Sequence, residues 1–244
     1  MEIKEKNYNY QSVFQMDDEV TSSRKFLAKV FSWMFVALAI TSVLAYVFAH
    51  NPELQAYLRD PYTLKPTGLG TIAMFSPLAF VLIISFGFNR LSFPVLATIF
   101  IVYAAVFGIS MSSIFLVYTG GSIFNVFLTA TILFGVMAVA GYTTKTDLTN
   151  FGSILFVALI ALVIASLINM FIKSETFDYI LSLIGVAVFT GLTAYDVQKL
   201  KRIGAGIEQG NAPANKLAVM GALTLYLDFV NLFLFLLRLF GNRK

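Results

Sequence analysis

Seven continuously apolar runs of about 20 residues fill most of this chain, and that pattern leaves few folds open. They extend from Leu27 to Ala49, Gly70 to Phe88, Pro94 to Tyr118, Ser122 to Tyr142, Phe151 to Ile172, Tyr179 to Leu200 and Leu217 to Phe240. Roughly 20 apolar residues in a row carry a helix across the hydrocarbon of a bilayer. The strands of a membrane barrel would instead alternate apolar and polar residues, and these runs do not. In hydrocarbon the backbone must satisfy its own hydrogen bonds, which leaves helices. The expectation is an all-α integral membrane protein with seven transmembrane helices. Composition agrees, because 58% of residues are hydrophobic, only 12% are charged and 25 of the 244 are Phe. The runs leave no stretch long enough for a soluble domain. The chain divides into a polar cytoplasmic N-terminal tail, 1–26, a seven-helix domain, 27–240, and a short C-terminal tail, 241–244.

The tail carries Asp17, Asp18 and Glu19 followed by Arg24 and Lys25. It is no signal peptide, since a secretory signal opens with basic residues and a short apolar stretch before a small-residue cleavage site. Val13, Phe14 and Met16 would allow an interfacial cap on the first helix, but a frayed terminus is the preferred expectation. Pro77 within the second run would leave a carbonyl unpaired and kink that helix, whereas Pro94 suits the first turn of the third. Counting Lys and Arg by side orients the chain. Lys4, Lys6, Arg24, Lys25, Lys29, Arg90, Lys145, Lys199, Lys201, Arg202 and Lys216 share one side. Arg59, Lys65 and Lys173, with Arg238, Arg243 and Lys244 at the end, fall on the other. The N-terminus is therefore expected in the cytoplasm. The basic C-terminal end weighs mildly against an odd number of crossings, and a re-entrant last segment is the alternative to seven true spans.

Two carboxylates break the apolar pattern. Asp196 lies in Gly191-Leu-Thr-Ala-Tyr-Asp-Val-Gln198, near the end of the sixth run, and Asp228 in Leu225-Tyr-Leu-Asp-Phe-Val-Asn-Leu-Phe233 of the seventh. An acid in hydrocarbon costs several kcal/mol, so it must face a protein interior or a water-filled cavity. Thr193 sits at the i, i+3 spacing before Asp196 and can share its helix face. Thr224, Asp228 and Asn231 form one polar stripe. Gly191 and Ala187 make a small-residue pair that lets a neighbouring helix approach. Asp228 lies deeper from its helix start than Asp196 does from its helix end, so level acids require the sixth or seventh helix to extend beyond the membrane boundary.

Each acid has an ordinary alternative. Asp196 could be an interfacial acid paired with Lys199 or Lys201, and Asp228 a protonated acid that ties helices together. The joint reading is preferred: two carboxylates held close cannot both ionise cheaply, so such a pair shares a proton and can sense pH.

Tyr195-Asp196-Val197-Gln198 and Leu225-Tyr226-Leu227-Asp228-Phe229-Val230-Asn231-Leu232-Phe233 resemble the signatures of the Bax inhibitor-1 family. The resemblance covers residues 24–238 and points to a bacterial-type member. It implies seven transmembrane helices with the last helix central and surrounded by the other six, and a pH-sensitive calcium leak. It further implies that Asp196 and Asp228 form a hydrogen-bonded di-aspartyl pH sensor and gate. Arg90 stands where bacterial-type members carry a basic latch at the end of the second helix. The other reading of Arg90 is a basic residue marking the cytoplasmic boundary. A bacterial cytoplasmic (inner) membrane location follows from the same resemblance.

Calcium prefers six to eight oxygen ligands. Asp196, Asp228, Asn231, Thr193 and waters make a thin set, with Thr224 and Tyr195 as further supporting polar groups, so only weak, transient calcium binding is expected, as permeation requires. The implied partners are the lipid bilayer, calcium and protons, with no cofactor. Three rivals remain: a proton-coupled transporter, a non-conducting membrane regulator, and an intramembrane aspartyl protease. The protease reading lacks the Gly-x-Gly-Asp and Pro-Ala-Leu elements of presenilin-type enzymes, so a non-enzyme is expected. Absence of cysteine excludes disulfides and thiolate metal sites. No phosphate-cradling glycine loop or histidine cluster points to nucleotide, nucleic acid, zinc or haem. Among the remaining polar groups, Asn125 and Asn169 read as interhelical amides and His50 as a solvated loop residue. Gly204-Ala-Gly206 reads as a flexible connector, and Lys199, Lys201 and Arg202 as contacts for anionic headgroups.

Overall fold

The computed structural model describes residues 10–63, 65–207 and 212–244, with the side chains of 10–17, 78, 85 and 212 excepted. Its helices are α1 (Tyr10–His50), α2 (Pro52–Leu58), α3 (Gly68–Gly87), α4 (Phe93–Met111), α5 (Ile114–Val117), α6 (Gly120–Thr143), α7 (Thr149–Ile172), α8 (Glu175–Ala205) and α9 (Ala212–Phe240). Among the described residues the only β pairings are isolated bridges, Arg59 with Pro66 and Tyr118 with Arg243.

Local chemistry starts the helices where the polar connections end. The side chains of Thr67, Thr119 and Ser174 accept backbone N–H bonds from Gly70, Ser122 and Phe177 and so cap α3, α6 and α8. Pro94 occupies the first turn of α4, behind the cap residue Ser92. Pro77 lies inside α3. The carbonyl its missing amide would have reached, Ala73 O, instead accepts from Ser76 Oγ at 3.2 Å. The α7–α8 connection is a single tight turn with Lys173 left-handed (φ 56°, ψ 37°). Asn169 is buried beneath it, accepting from the Ser174 amide and donating to the Ser174 carbonyl. That amide therefore ties one turn rather than bridging distant helices.

Six helical segments among the described residues are long and apolar enough to cross a membrane: Asp18–His50, Phe93–Val117, Gly120–Thr143, Thr149–Ile172, Glu175–Ala205 and Pro213–Phe240. The second expected run corresponds to α3, a 20-residue helix. The protein is an all-helical integral membrane protein. Burial is uneven: 67% of the apolar window of α9 and 56% of that of α8 lie inside the molecule, against 17–28% for the other four, so α8 and α9 carry the core. α9 packs against α1, α4, α6 and α8, while α3 packs on α4 and α7 on α8. The exposed faces of α7 present Ile154, Phe156, Val157 and Phe171, a surface suited to acyl chains rather than water.

Two helix crossings are too close for any side chain. A Cβ on Gly141 of α6 would stand 2.1 Å from the carbonyl oxygen of Ala194 in α8, and one on Gly108 of α4 would stand 2.6 Å from that of Thr41 in α1. Small residues let membrane helices approach in this way.

The first helix differs from the expectation of a frayed tail. α1 begins at Tyr10, and from Ser23 onward its inner face is buried. Ser22 Oγ donates to the carbonyls of Gly204 and Ile207, Ser23 Oγ donates to that of Lys201, and Phe26 packs on Gly204. The Ser22 hydroxyl thereby serves Gly204 O, a carbonyl left open in the last turn of α8, and Ile207 O just beyond it. Gly204 is accordingly no flexible connector but a buried residue of α8. Residues 1–9, with Lys4 and Lys6, and the interfacial role considered for the side chains of Val13, Phe14 and Met16, lie outside what is described.

Candidate functional site

α8 and α9 form the most intimate helix pair, and each presents its acid to the same space. Asp196 and Asp228 are buried, at 8% and 5% exposure, although both are carboxylates. They line one cavity of about 670 Å³ between α7, α8 and α9. Both carboxyl groups therefore border the same space. Asp228 Oδ2 is fully enclosed and has no donor among the described residues. Ionised carboxylates only accept hydrogen bonds, so a bond between the two needs a proton on one of them.

The other polar groups divide. Thr224 and Asn231, the rest of the α9 stripe, line the cavity, as does Tyr195. Thr224 Oγ1 donates to Met220 O and Asn231 Nδ2 to Leu227 O, which leaves oxygen lone pairs for the cavity. Thr193 is wholly buried, and its hydroxyl donates to Phe189 O in its own helix. It is absent from the cavity lining, because its position turns it toward the protein rather than α7. Gly191 faces α7, where a Cβ would meet Leu155 and Phe151. Gly152 at the start of α7 lies so close to the Tyr195 ring that a Cβ would come within 2.3 Å of it.

Lys199 also lines the cavity, with its ammonium 5.9 Å from the centre of the Tyr195 ring. Asp196 nevertheless makes no ion pair within 4 Å among the described residues, and the Lys201 ammonium is engaged with Tyr142 O at 2.8 Å. Lys199 thus shares the cavity with Asp196 without forming a direct ion pair. Arg90 lies in the turn after α3, exposed, with no side-chain hydrogen bond or ion pair among the described residues, and is not part of the cavity lining.

Gln198 does what its place in the motif did not disclose. Two residues after Asp196, it is 5% exposed, accepts from the Leu148 amide at 2.9 Å and donates to Thr146 O at 2.8 Å. Arg202, one turn on, reaches Gln198 Oε1, Thr149 Oγ1 and the Asp147 carboxylate. Together they fasten the α6–α7 loop to α8, and the loop sets where α7 begins. Lys201 and Arg202 thus bind protein rather than standing free for headgroups. The Asp147 carboxyl is held well below the usual range by the Thr149 hydroxyl, Arg202 and the Thr149 amide. No cluster of three or more His, Cys, Asp or Glu able to hold a metal occurs among the described residues.

Fold and site together define a helical membrane protein with two buried carboxylates sharing an inner cavity beside its most buried helix. Comparison with known proteins carries this further. The family described as "Inhibitor of apoptosis-promoting Bax1" matches residues 23–244, and the chain belongs to that family, the Bax inhibitor-1 family. It is 42% identical over 236 residues to the inner membrane protein YbhL of Escherichia coli K12, covering 95% of this chain and 99% of that one. It is 41% identical over 221 residues to a Rickettsia prowazekii protein, RP147, covering 91% of each, and 40% identical over 232 residues to a Borreliella burgdorferi protein, covering 94% and 97%.

Proposed function

We propose that this protein is a pH-sensitive calcium leak whose gate is the Asp196–Asp228 pair. The observation that carries the reading is the pair itself: two buried carboxylates lining one cavity, with one oxygen enclosed and without a donor among the described residues. A proton shared between them supplies the missing donor; its loss leaves two charges in a confined space, which must separate, hydrate or attract a cation. Asn231 and Thr224 add oxygens on the same face. That set is short of calcium's usual six to eight, so the ion passes rather than stays. The proposal does not rest on Arg90, and it assigns no chemical reaction to the pair.

The reading includes seven crossings with a cytoplasmic N-terminus. In its support, the start of α1 meets the end of α8 through Ser22 and Gly204, whereas Asn242 and Lys244 bond to Thr119 and Val117 at the other end of the bundle. In this reading α3, a 20-residue apolar helix, supplies the return crossing between α2 and α4, and α9 then runs outward without a re-entrant segment. The similarity to an E. coli inner membrane protein supports the same membrane for this one.

Calcium flux into liposomes holding the purified protein, measured from pH 5 to 8 beside D196N and D228N, tests the gate. The expected result is flux with a pH dependence that both variants lose. Wild-type pH dependence in either variant would refute a shared sensor, and absence of flux at every pH would favour a non-conducting regulator.

A further inference from the structure

A second large cavity lies away from the acids, where α6 parts from α1 and α4. α6 packs on α8 and α9, and no comparable packing joins it to α1 or α4. The gap is a half-open cavity of about 670 Å³, floored by Phe229, Val230 and Phe233 of α9. Phe127 of α6 closes one wall, its ring 5.4 Å from that of Phe229 and 5.9 Å from that of Phe233.

The lining is graded along its length. The body is aliphatic and aromatic, while one end carries Tyr46, His50 and Lys244. His50 is more than a solvated loop residue: its ring stacks on Tyr46 at 4.0 Å, stands edge-on to Phe115 at 5.7 Å, and engages Tyr46 O through Nδ1, leaving Nε2 open. Lys244 Nζ donates to Phe115 O at 2.7 Å, which orders the ammonium and leaves two of its three donors unused. Neither group has an acidic side chain paired with it among the described residues. Inside, Ser42 contributes a hydroxyl with no hydrogen bond among the described residues, while the Thr41 hydroxyl is already engaged.

A space of this size falls within the roughly 300–1,000 Å³ of sites that hold one compact ligand, mostly apolar with a few placed polar groups. An apolar body ending at an exposed lysine without an ion pair among the described residues is complementary to a single acyl chain ending in an anion. We propose that this cavity binds a long-chain carboxylate, tail along Phe127, Phe229 and Phe233 and head on Lys244. Two acyl chains on a glycerol would overfill it. The site is separate from the acid pair and does not depend on the flux reading.

The test uses the full chain in non-ionic detergent with dansylundecanoate as fluorescent probe, displaced by palmitate, by hexadecanol or by phosphatidylglycerol. Saturable binding is expected, with palmitate displacing the probe about tenfold better than hexadecanol, the difference one charge-assisted hydrogen bond makes. K244Q should erase that preference while leaving hexadecanol unchanged, and S42F should block the tail. D196N should bind as the wild type does, and an unchanged melting profile for S42F separates occlusion from misfolding. Equal displacement by palmitate and hexadecanol, retention of the preference in K244Q, binding no stronger than partition into micelles, or tighter displacement by phosphatidylglycerol would each overturn the assignment.

Discussion

Two glycines of α6 should respond oppositely to the same substitution. Gly135 has no atom within 4 Å of a Cβ placed on it, whereas a Cβ on Gly141 would lie 2.1 Å from Ala194 O and 2.8 Å from Ala194 C and Cα. Alanine at either position removes glycine's helix penalty, about 1 kcal/mol. That gain is common to both variants and cancels in their difference, which isolates the contact with α8. Overpacking costs about 1–3 kcal/mol where neighbours must shift. Here the neighbours are backbone atoms of a buried helix, so the upper part of that range applies. At about 2–4 °C per kcal/mol for a chain of this size, G141A should melt roughly 6–12 °C below G135A. G135A itself should melt slightly above the wild type. Far-UV circular dichroism of the purified protein in one detergent reads both transitions. Equal melting of the two variants, or G141A above G135A, would refute the close approach of α6 and α8 beside Asp196.

Three further outcomes follow from individual contacts. Thr41 Oγ1 spends its proton on Ala104 O, so the Tyr226 hydroxyl, 2.8 Å away, must donate to Thr41; T41V strands the buried Tyr226 hydroxyl and should destabilise by about 1–3 kcal/mol, while Y226F should cost about 1 kcal/mol or less in the same melting assay. Asp147 has a depressed folded-state pKa, so its contribution is complete above the unfolded carboxylate value of about 4 and is lost only as pH falls through the lower folded value. D147N should therefore leave the pH 5–8 flux profile unaltered, and a shifted profile would move the gate from the acid pair to the α6–α7 loop. Lys173 is held left-handed at φ 56°, which glycine adopts without the cost borne by a side chain; K173G should raise stability by up to about 1 kcal/mol, and a lower melting temperature would contradict the turn geometry.

The helices were legible because hydrocarbon solvent imposes one rule on every span, and Pro94 marks the first turn of α4, whereas the caps Thr67, Thr119 and Ser174 emerge only in the structure. The acids were legible for the same reason, as charges where charge is expensive. What escaped depends on distance in sequence. Gln198 binds a loop 50 residues earlier, and nothing in a single motif tells a clamp from a solvated amide. Thr193 has the right spacing to join Asp196, but three residues along a helix also turn by about 60° away from register, enough to face a different neighbour. The polar segment before Phe26 reads as tail by composition, yet its serines bond to carbonyls at the end of α8. Lys201 and Arg202 follow the boundary rule for basic residues and still spend their donors on Tyr142, Asp147 and Thr149.

α9 carries two polar features on different faces, and their difference locates where the bundle can yield. Asp228 and Tyr226 are two residues apart, about 200° around the helix. On the Tyr226 face the hydroxyl is bonded to Thr41, and the rings of Tyr103, Phe107 and Phe100 surround it at 5.6, 6.0 and 6.1 Å. Around Tyr226 that face is closed, and moving it there would break a buried hydrogen bond and an aromatic cluster together, although one and two turns further on Val230 and Phe233 border the second cavity. On the Asp228 face lie a cavity, an oxygen without a donor, and α7, whose apolar window is only 17% buried and whose packing is on α8. A change of charge at the pair therefore meets least resistance toward α7. The ties that limit α7 there are Gln198 and Arg202, on the same helix as Asp196, so under the proposed gate the sensing residue and the restraining residues sit within two turns of one helix.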